Sequence, residues 1–331
     1  YPRYFENIGS VRNTGVEFSV NTENVTPKKR GGFAWQSSLN LTFNRNEVTE
    51  LYNDQPQDIG LGGITRIAVG QPLGTFFGYK TDGLYRTNAD VPGSPEFFEK
   101  HNFTPEQIEE FNAAGKNMYL NGVRPGDVKF VDLNGDGLIT SDDRTFLGNS
   151  QPLFFGGFTN IFTLKGIELN VFLQFSYGNK TFNGILTYAE AMNFTDNSTD
   201  RVLERWRSES EPGNGKMPRA TALDPNNNGR LNSDRFLEDG SYLRFKTVTL
   251  SYYFPQSLIN KIKLQSLKVY VSALNLLTFT RYSGFDPEVS AYGGSPAFNS
   301  ASGAASNAGG AIDFYTVPQP RTITFGVNVG F

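Results

Sequence analysis

The sequence contains no cysteine and a single histidine, His101. Without cysteine there is neither a disulfide framework nor a thiolate metal site, and a Ser/His/Asp triad would depend on that one ring. We interpret His101 as a solvent-exposed residue beside a short helix. Spacing selects no catalytic pair among the 33 acidic residues, and no phosphate-loop signature follows Gly62 and Gly63. These absences make an enzyme the weaker class of function.

Long apolar runs are also absent. No stretch of about eighteen apolar residues occurs, which excludes helical membrane spans but not a membrane barrel, whose strands dilute the apolar signal by alternation. The net charge of -3 argues against a nucleic-acid partner, because few counterions would be released on binding. The sequence begins at Tyr1 without a methionine or a signal peptide, so we expect a piece of a longer protein.

Strict alternation of apolar and polar side chains is the main positive feature. In residues 152–178 it runs on both sides of Lys165-Gly166, which predicts a β-hairpin with those two residues as its loop. Position 162 then faces 169 and 158 faces 173, so one face is apolar and the other polar. The second strand covers about eleven residues, a length typical of a tilted strand that crosses a bilayer.

Five more segments alternate in the same way, with small, amide or hydroxyl residues on the polar parity. They are 16–21, 33–44, 241–254, 266–280 and 322–331. In 241–254 the apolar parity changes, which predicts a β-bulge near Lys246 or Thr247. Such strands fit an antiparallel sheet over a soluble core or a barrel with lipid outside and a wet lumen. The aromatic last strand favours a barrel, since an open strand edge cannot lie in lipid.

Three long connections, 86–125, 179–240 and 281–320, separate the strands, and loops of this length are commonly functional. A capping box at 104–107 predicts a short surface helix, and a second helix is predicted at 200–207. Aromatic residues of the third connection would either offer ring faces to sugars or peptides or pack the loop together. They are Tyr282, Phe285, Tyr292, Phe298 and Phe314.

Residues 132–143 have the spacing of a calcium-binding loop, with oxygen ligands at positions 1, 3 and 5, glycine at 6, a backbone carbonyl at 7 and a carboxylate at 12. The predicted ligands of this structural calcium are Asp132, Asn134, Asp136, the carbonyl of Leu138, and Asp143. The alternative is a solvated turn, and the closing residue is Asp where an EF-hand has Glu. A related run at 224–229 lacks two acidic residues, and we interpret it as a turn.

Several motifs in a fixed order carry a family resemblance. They are PGDVKFVDLNGDGLITSDDRTFLGNSQP, KGIELNVFLQFSYGN, SDRFLEDGSYLRFKTVTLSYYFP, LKVYVSALNLLTFTRYSGFDPEVS and YTVPQPRTITFGVNVGF. Over nearly its whole length the chain resembles the carboxy-terminal part of SusC/RagA-type TonB-dependent outer-membrane transporters. The resemblance implies an all-β fold, part of an antiparallel transmembrane β-barrel of about 22 strands, with long extracellular loops carrying short helices.

The same resemblance implies TonB-dependent import of oligosaccharide or peptide nutrients across the Gram-negative outer membrane, together with a SusD-like lipoprotein. Neither a plug nor a TonB box is recognisable, so 1–331 would be a carboxy-terminal portion of the barrel, and TonB would act through an amino-terminal region outside it. The turns at 24–32 and 165–166 would then face the periplasm. The alternatives are a secreted calcium-stabilised carbohydrate-binding β module, extractable without detergent, and a surface enzyme. The cargo is not predicted, because the polar residues of the strands are generic.

Overall fold

The computed structural model describes residues 9–29, 31–59, 63–193, 197–229, 232–289, 310–314 and 316–331. The strands in this part of the chain are β1 (Gly9–Val25), β2 (Ala34–Leu51), β3 (Gln57–Ile59), β4 (Thr65–Ile67), β5 (Thr75–Tyr79), β6 (Thr81–Leu84), β7 (Val128–Phe130), β8 (Arg144–Asn149), β9 (Phe154–Leu164), β10 (Ile167–Tyr177), β11 (Lys180–Asn183), β12 (Leu237–Asp239), β13 (Tyr242–Tyr253), β14 (Ser266–Thr280), β15 (Ile312–Asp313) and β16 (Thr322–Gly330). The helices are α1 (Pro95–Lys100), α2 (Pro105–Ala113), α3 (Leu186–Ala189) and α4 (Gln256–Ile259).

The long strands form one antiparallel sheet, here called the wall sheet, in the order β1-β2-β9-β10-β13-β14-β16. Every long connection leaves and re-enters this sheet at the end opposite the Lys165-Gly166 turn. The described residues of these connections (52–153, 178–241 and 281–321) are called the outer layer. The all-β fold expected from the alternation is therefore confirmed. Within the described residues, no helix has both the length and the apolar character needed to cross a membrane.

The central hairpin has the predicted register. Leu164 pairs with Ile167, and Phe158 pairs with Leu173. Its loop residues Lys165 and Gly166 have φ values of 48° and 85°, as a two-residue turn with both residues in the left-handed region requires. One loop thus sets the register of both strands and places their apolar side chains on the same face.

The predicted bulge is also present. Thr247 pairs with Phe172 and Phe245 pairs with Leu173, so Lys246 is the extra residue in β13. A single extra residue reverses the alternation. Because of it, Phe245 lies on the same face as Val248, and the apolar face continues across the change of parity.

No second layer formed by the described residues covers the apolar face of the wall sheet. Phe325 is 80 % exposed, Val327 61 % and Phe18 54 %, and the clusters of buried apolar side chains found in the described residues all lie in the outer layer. A sheet over a soluble core would bury such residues, since each is worth about 1.5–3 kcal/mol on burial. The exposed apolar face therefore favours the wall of a membrane barrel over the soluble β module.

A short polar row interrupts this apolar face. Thr22 pairs with Ser37, and Ser37 with Asn160. Asn160 Oδ1 accepts hydrogen bonds from Ser37 Oγ at 2.8 Å and Trp35 Nε1 at 2.9 Å. The row ends at β10, where the residue paired with Asn160 is the apolar Val171. Ser37 occupies a position of β2 that alternation assigns to the apolar face. Its hydroxyl is tolerated there because it is hydrogen-bonded within this network.

The outer layer contains small sheets in the orders β3-β4-β5-β8, β12-β11-β15 and β6-β7. Residues 75–84 form two short strands of these sheets, β5 and β6. The predicted α2 is confirmed with its capping box, in which Gln107 N–H donates to Thr104 Oγ1 and Thr104 N–H to Gln107 Oε1. Residues 179–240, expected as a long loop with one helix, also contain β11, α3 and β12.

The predicted helix at 200–207 is wrong in type and length, because the structure has a 3-10 helix at Asp200–Glu204. Trp206 N–H donates instead to the carbonyl of Met217 at 3.0 Å, and Arg207 N–H donates to that of Glu211 at 3.0 Å. These longer-range backbone bonds take the donors that would otherwise extend the helix.

Candidate functional site

Charged side chains gather on the polar face of the wall sheet where the third connection begins. Arg244 is 2 % exposed, and its guanidinium donates to Asp286, to Glu288 Oε2 at 2.8 Å and to Thr278 Oγ1 at 3.0 Å. Lys246 Nζ lies 3.0 Å from the same Glu288 oxygen. Since a buried cation is stable only when it is paired, this cluster holds residues 286–288 against the polar face.

Asp286 also joins the two ends of the third connection. Its Oδ2 accepts the backbone N–H of Gln319 at 3.0 Å, and its Oδ1 accepts that of Glu288 at 2.9 Å. Burial works against ionisation of this carboxyl, but the hydrogen bonds from Arg244 and the two N–H groups outweigh it and lower the pKa. An ionised Asp286 therefore fixes both ends of the connection to the sheet.

The predicted ligand-facing aromatic residues have different environments. Tyr282 is 5 % exposed and its hydroxyl donates to Asp313 Oδ2 at 2.6 Å, so that burial and this bond raise the pKa of the phenol. Phe314 packs against the buried cluster of the outer layer. Phe285, in contrast, is 75 % exposed. Tyr292 and Phe298 lie outside the described residues. The packing interpretation therefore holds for Tyr282 and Phe314, and Phe285 keeps a free ring face.

A second charged group connects the first and second long connections. The Asp127 carboxylate is fully buried and accepts two hydrogen bonds from Arg219, at 2.8 and 3.0 Å, and one from Asn228 Nδ2 at 2.9 Å. Asn226 Nδ2 donates to the carbonyl of Val128 at 2.7 Å. These residues join the two loops, a role that the sequence did not indicate.

The run at 224–229 forms the turn that was expected. Asp224 accepts the backbone N–H groups of Asn228 and Gly229, at 2.7 and 3.2 Å. The amide groups of Asn226 and Asn228 bond to residues of the neighbouring loop. The side chains of this run are therefore used to build the turn and join it to its neighbour.

The buried Glu190 forms a third group, at 3.1 Å from Arg201 and 3.5 Å from Arg235. Burial raises the pKa of Glu190 against the effect of both arginines. Burial likewise lowers the pKa of Arg235 to about 10. The group packs three separate segments of the outer layer together, and it is structural in character.

Hydrogen bonds from backbone N–H groups to two carboxylates close the loop at 132–143. Asp132 accepts the N–H groups of Gly135 and Gly137, both at 2.7 Å. The fully buried Asp143, at position 12, accepts those of Leu133 at 2.8 Å and Thr140 at 2.7 Å.

The oxygen atoms of this loop fit a hard cation in type. Asn134 and Asp136 bond to each other, and Asp136 also accepts the N–H of Leu138. Within the described residues, however, no three acidic or histidine side chains converge as a metal cluster. The calcium site therefore remains a prediction.

His101 lies at the carboxyl end of α1, exposed as expected. Its ring centroid is 4.5 Å from that of Phe97, within a small group of aromatic residues in α1 and α2. The two rings pack against each other, and this contact does not indicate a catalytic role for the imidazole.

No protein-family model matches the chain. TonB-dependent receptor P3 of Formosa agariphila is 31 % identical over 333 residues, which cover 98 % of this chain and 29 % of the relative. TonB-dependent receptor SusC of Bacteroides thetaiotaomicron is 26 % identical over 289 residues, which cover 86 % of this chain and 25 % of the relative. The chain is a relative of the SusC-type TonB-dependent receptors. The resemblance carried by the sequence motifs is therefore confirmed.

Solved structures support the SusC-type fold. The chain superposes on a structure of the RagAB peptide transporter with a TM-score of 0.69 at 21 % identity, covering 98 % of this chain and 30 % of that one. A structure of the RagAB peptide importer in the open-open state gives a TM-score of 0.68. The chain spans less than a third of the length of the relatives it matches.

Proposed function

We propose that this chain forms part of the barrel wall and the extracellular loops of a TonB-dependent receptor that imports nutrients across the Gram-negative outer membrane. The observation that supports this most strongly is the apolar face of the wall sheet. In the part of the chain that the structure describes, no second layer covers this face, while the opposite face is polar. Lipid outside and an aqueous lumen inside satisfy both faces. The named relatives are receptors, and we infer transport rather than catalysis.

The partners follow from the same proposal. Residues 1–331 are a carboxy-terminal portion of the barrel, and TonB engages a region of the receptor outside them. A SusD-like lipoprotein meets the outer layer, and the cargo is an oligosaccharide or a peptide. The solved structures with a similar fold are named as a peptide transporter and a peptide importer. This similarity of fold supports a peptide as the cargo.

Uptake by whole cells tests the function. A strain that carries the receptor should take up labelled oligosaccharides or peptides that a receptor deletion strain does not, and removal of TonB from the strain with the receptor should abolish that uptake. The receptor should also require detergent for extraction and should change its gel migration on heating. Extraction from membranes by salt alone would contradict the proposal and favour the secreted β module.

We also propose that residues 132–143 bind one structural calcium ion, held by Asp132, Asn134, Asp136, the carbonyl of Leu138, and Asp143. Calcium titration of the purified receptor by calorimetry should show a site that disappears when Asp132 and Asp136 are both replaced by Asn. Asp82→Asn is a matched control, because Asp82 is an exposed carboxylate that pairs with Lys129 instead. Equal calcium affinity before and after the double substitution would contradict the proposed calcium site.

A further inference from the structure

A cavity of about 350 Å³ lies between the two ends of the third connection and the wall sheet. Phe285 and Pro287 form one side, and residues 318–321 form the other. Its floor includes Arg244 and Thr278, which share the polar face of the sheet. The proposed import function assigns no role to this cavity.

The sides of the cavity are fixed to each other and to the sheet. Arg244 holds Asp286, and Asp286 accepts the backbone N–H of Gln319 at 3.0 Å. Asn275 Nδ2 donates to the carbonyl of Pro320 at 3.0 Å. Because these bonds fix the walls of the cavity, binding needs little reorganisation, which reduces the entropic cost of association.

Two groups at this cavity have unused binding capacity. Arg321 is exposed, and it makes no ion pair within the described part of the chain. The Phe285 ring is largely exposed. The cavity thus combines a cation and an aromatic face.

We propose that this cavity binds a uronate residue of an acidic oligosaccharide, with Arg321 on the carboxylate, polar side chains of the cavity wall on the sugar hydroxyls, and Phe285 against the apolar face of the sugar ring. A guanidinium matches the geometry of a carboxylate. The hydroxyl and amide groups of Thr278, Thr280 and Gln319 are donors and acceptors at once, as sugar hydroxyls are. This inference rests on the proposed import and names a class of cargo.

Calorimetry on the receptor purified from outer membranes tests the proposal directly. The probes are trimers of galacturonate, glucuronate and mannuronate, the carboxyl-reduced form of each, and triglutamate. Arg321→Gln should weaken binding of the acidic trimer by about tenfold or more, because it removes a charge-assisted bond. Arg321→Lys keeps the charge but not the bidentate geometry, so it should weaken binding less than Arg321→Gln does. Phe285→Ala should weaken the acidic and reduced trimers by similar factors.

Arg86→Gln is a matched control, since Arg86 is an exposed arginine of the outer layer that does not line the cavity. It should leave all affinities unchanged. The proposal is overturned if no uronate trimer binds, if Arg321→Gln has no effect, or if triglutamate is the probe that depends on Arg321. Binding in detergent needs neither TonB nor a membrane, so a failure of cellular uptake with intact uronate binding would reject the import function alone.

Discussion

In the wall sheet Phe325 and Val327 are mostly exposed, whereas in the outer layer Phe182 and Phe236 are fully buried. Both regions are rich in aromatic and branched residues, but among the described residues only the outer layer buries them in clusters. Rings of the wall sheet contact one another along the sheet, as Trp35 and Phe162 do, without a layer above them. The outer layer therefore has the cores of a water-soluble structure, while the wall sheet exposes its apolar side chains to whatever surrounds it. The comparison indicates two solvents, water around the loops and lipid around the strands.

Charges divide in the same way. The outer layer buries the carboxylates of Asp127 and Glu190, which pair with Arg219 and with Arg201 and Arg235 respectively. In the wall sheet, Arg244 lies on the polar face and is paired there. Buried charge is stable only when it is paired. We therefore expect the outer layer to be destabilised when one member of a buried pair is removed, and the wall sheet to be destabilised when a charge is added to its apolar face.

Removal of the Asp127 carboxylate should have the largest effect. Asp127→Ala leaves Arg219 without its partner at a buried site, and loss of one member of a buried pair costs about 3–5 kcal/mol. Hydrogen exchange should show this loss in the opening free energy of the amides at 126–128 and 217–219. Amides of β9 and β10 should keep their protection, because the wall sheet does not depend on this pair.

Asp82→Ala provides the control within the same layer. Asp82 pairs with Lys129, but both side chains are well exposed, and exposed pairs contribute little to stability. Exchange should therefore be unchanged in this variant. Equal effects of Asp82→Ala and Asp127→Ala would mean that the outer layer has no core of its own.

A charge on the apolar face of the wall sheet should have the next largest effect. Val248 lies in the middle of that face, paired with Val171 and Ala273. Val248→Arg should lower the free energy of unfolding in lipid vesicles by about 2–4 kcal/mol, the cost of arginine near the bilayer midplane. The midpoint of unfolding by urea in lipid vesicles measures this loss of stability.

Thr249→Arg is the matched control, one residue along the same strand. Thr249 points to the polar face, where its hydroxyl bonds to that of Ser272 at 2.8 Å. An arginine there reaches water, so we expect a much smaller loss. If both arginines are tolerated equally, lipid does not cover the apolar face, and the membrane placement is wrong.

The wall sheet was the part of the fold that its sequence could predict. Strand alternation is local, and Lys165-Gly166 fixes the register of β9 and β10 within a few residues. The bulge at Lys246 was visible as a change of parity. The polar row at Ser37 and Asn160 was not predicted, because it appears only when two strands 123 residues apart are paired.

The outer layer was harder to predict, because its structure depends on contacts between distant residues. Asp127 and Arg219 are 92 positions apart, and no local pattern marks either as buried. The 3-10 helix at Asp200–Glu204 ends early because of backbone bonds to residues beyond it. For the candidate site, Phe285 was among the predicted aromatics. Arg244 was missed, although an arginine on the polar parity beside an acidic loop was a usable signal.

The smallest effect expected is a pH dependence within the outer layer. Arg66 donates two hydrogen bonds to Asp58, and Arg144 Nη1 lies 3.0 Å from the same carboxylate. The bond from Arg66 is the main reason why the pKa of Asp58 lies below its ordinary value, and burial opposes it. The carboxylate therefore stabilises β3 and β4 above the unfolded-state pKa of about 3.9, and this contribution is lost as the pH falls through the lower folded value.

Asp58→Asn isolates this contribution, because an amide of similar shape cannot ionise. The thermal unfolding temperature of the variant should lie below that of the unchanged receptor at pH 6, and the difference should shrink below about pH 4 as Asp58 becomes protonated. The two guanidinium groups remain on the ring of Phe77, at 3.5 and 5.0 Å from its centroid, so the packing of this sheet is retained in the variant. A difference that persists unchanged to pH 3 would mean that the carboxylate acts through its shape rather than its charge.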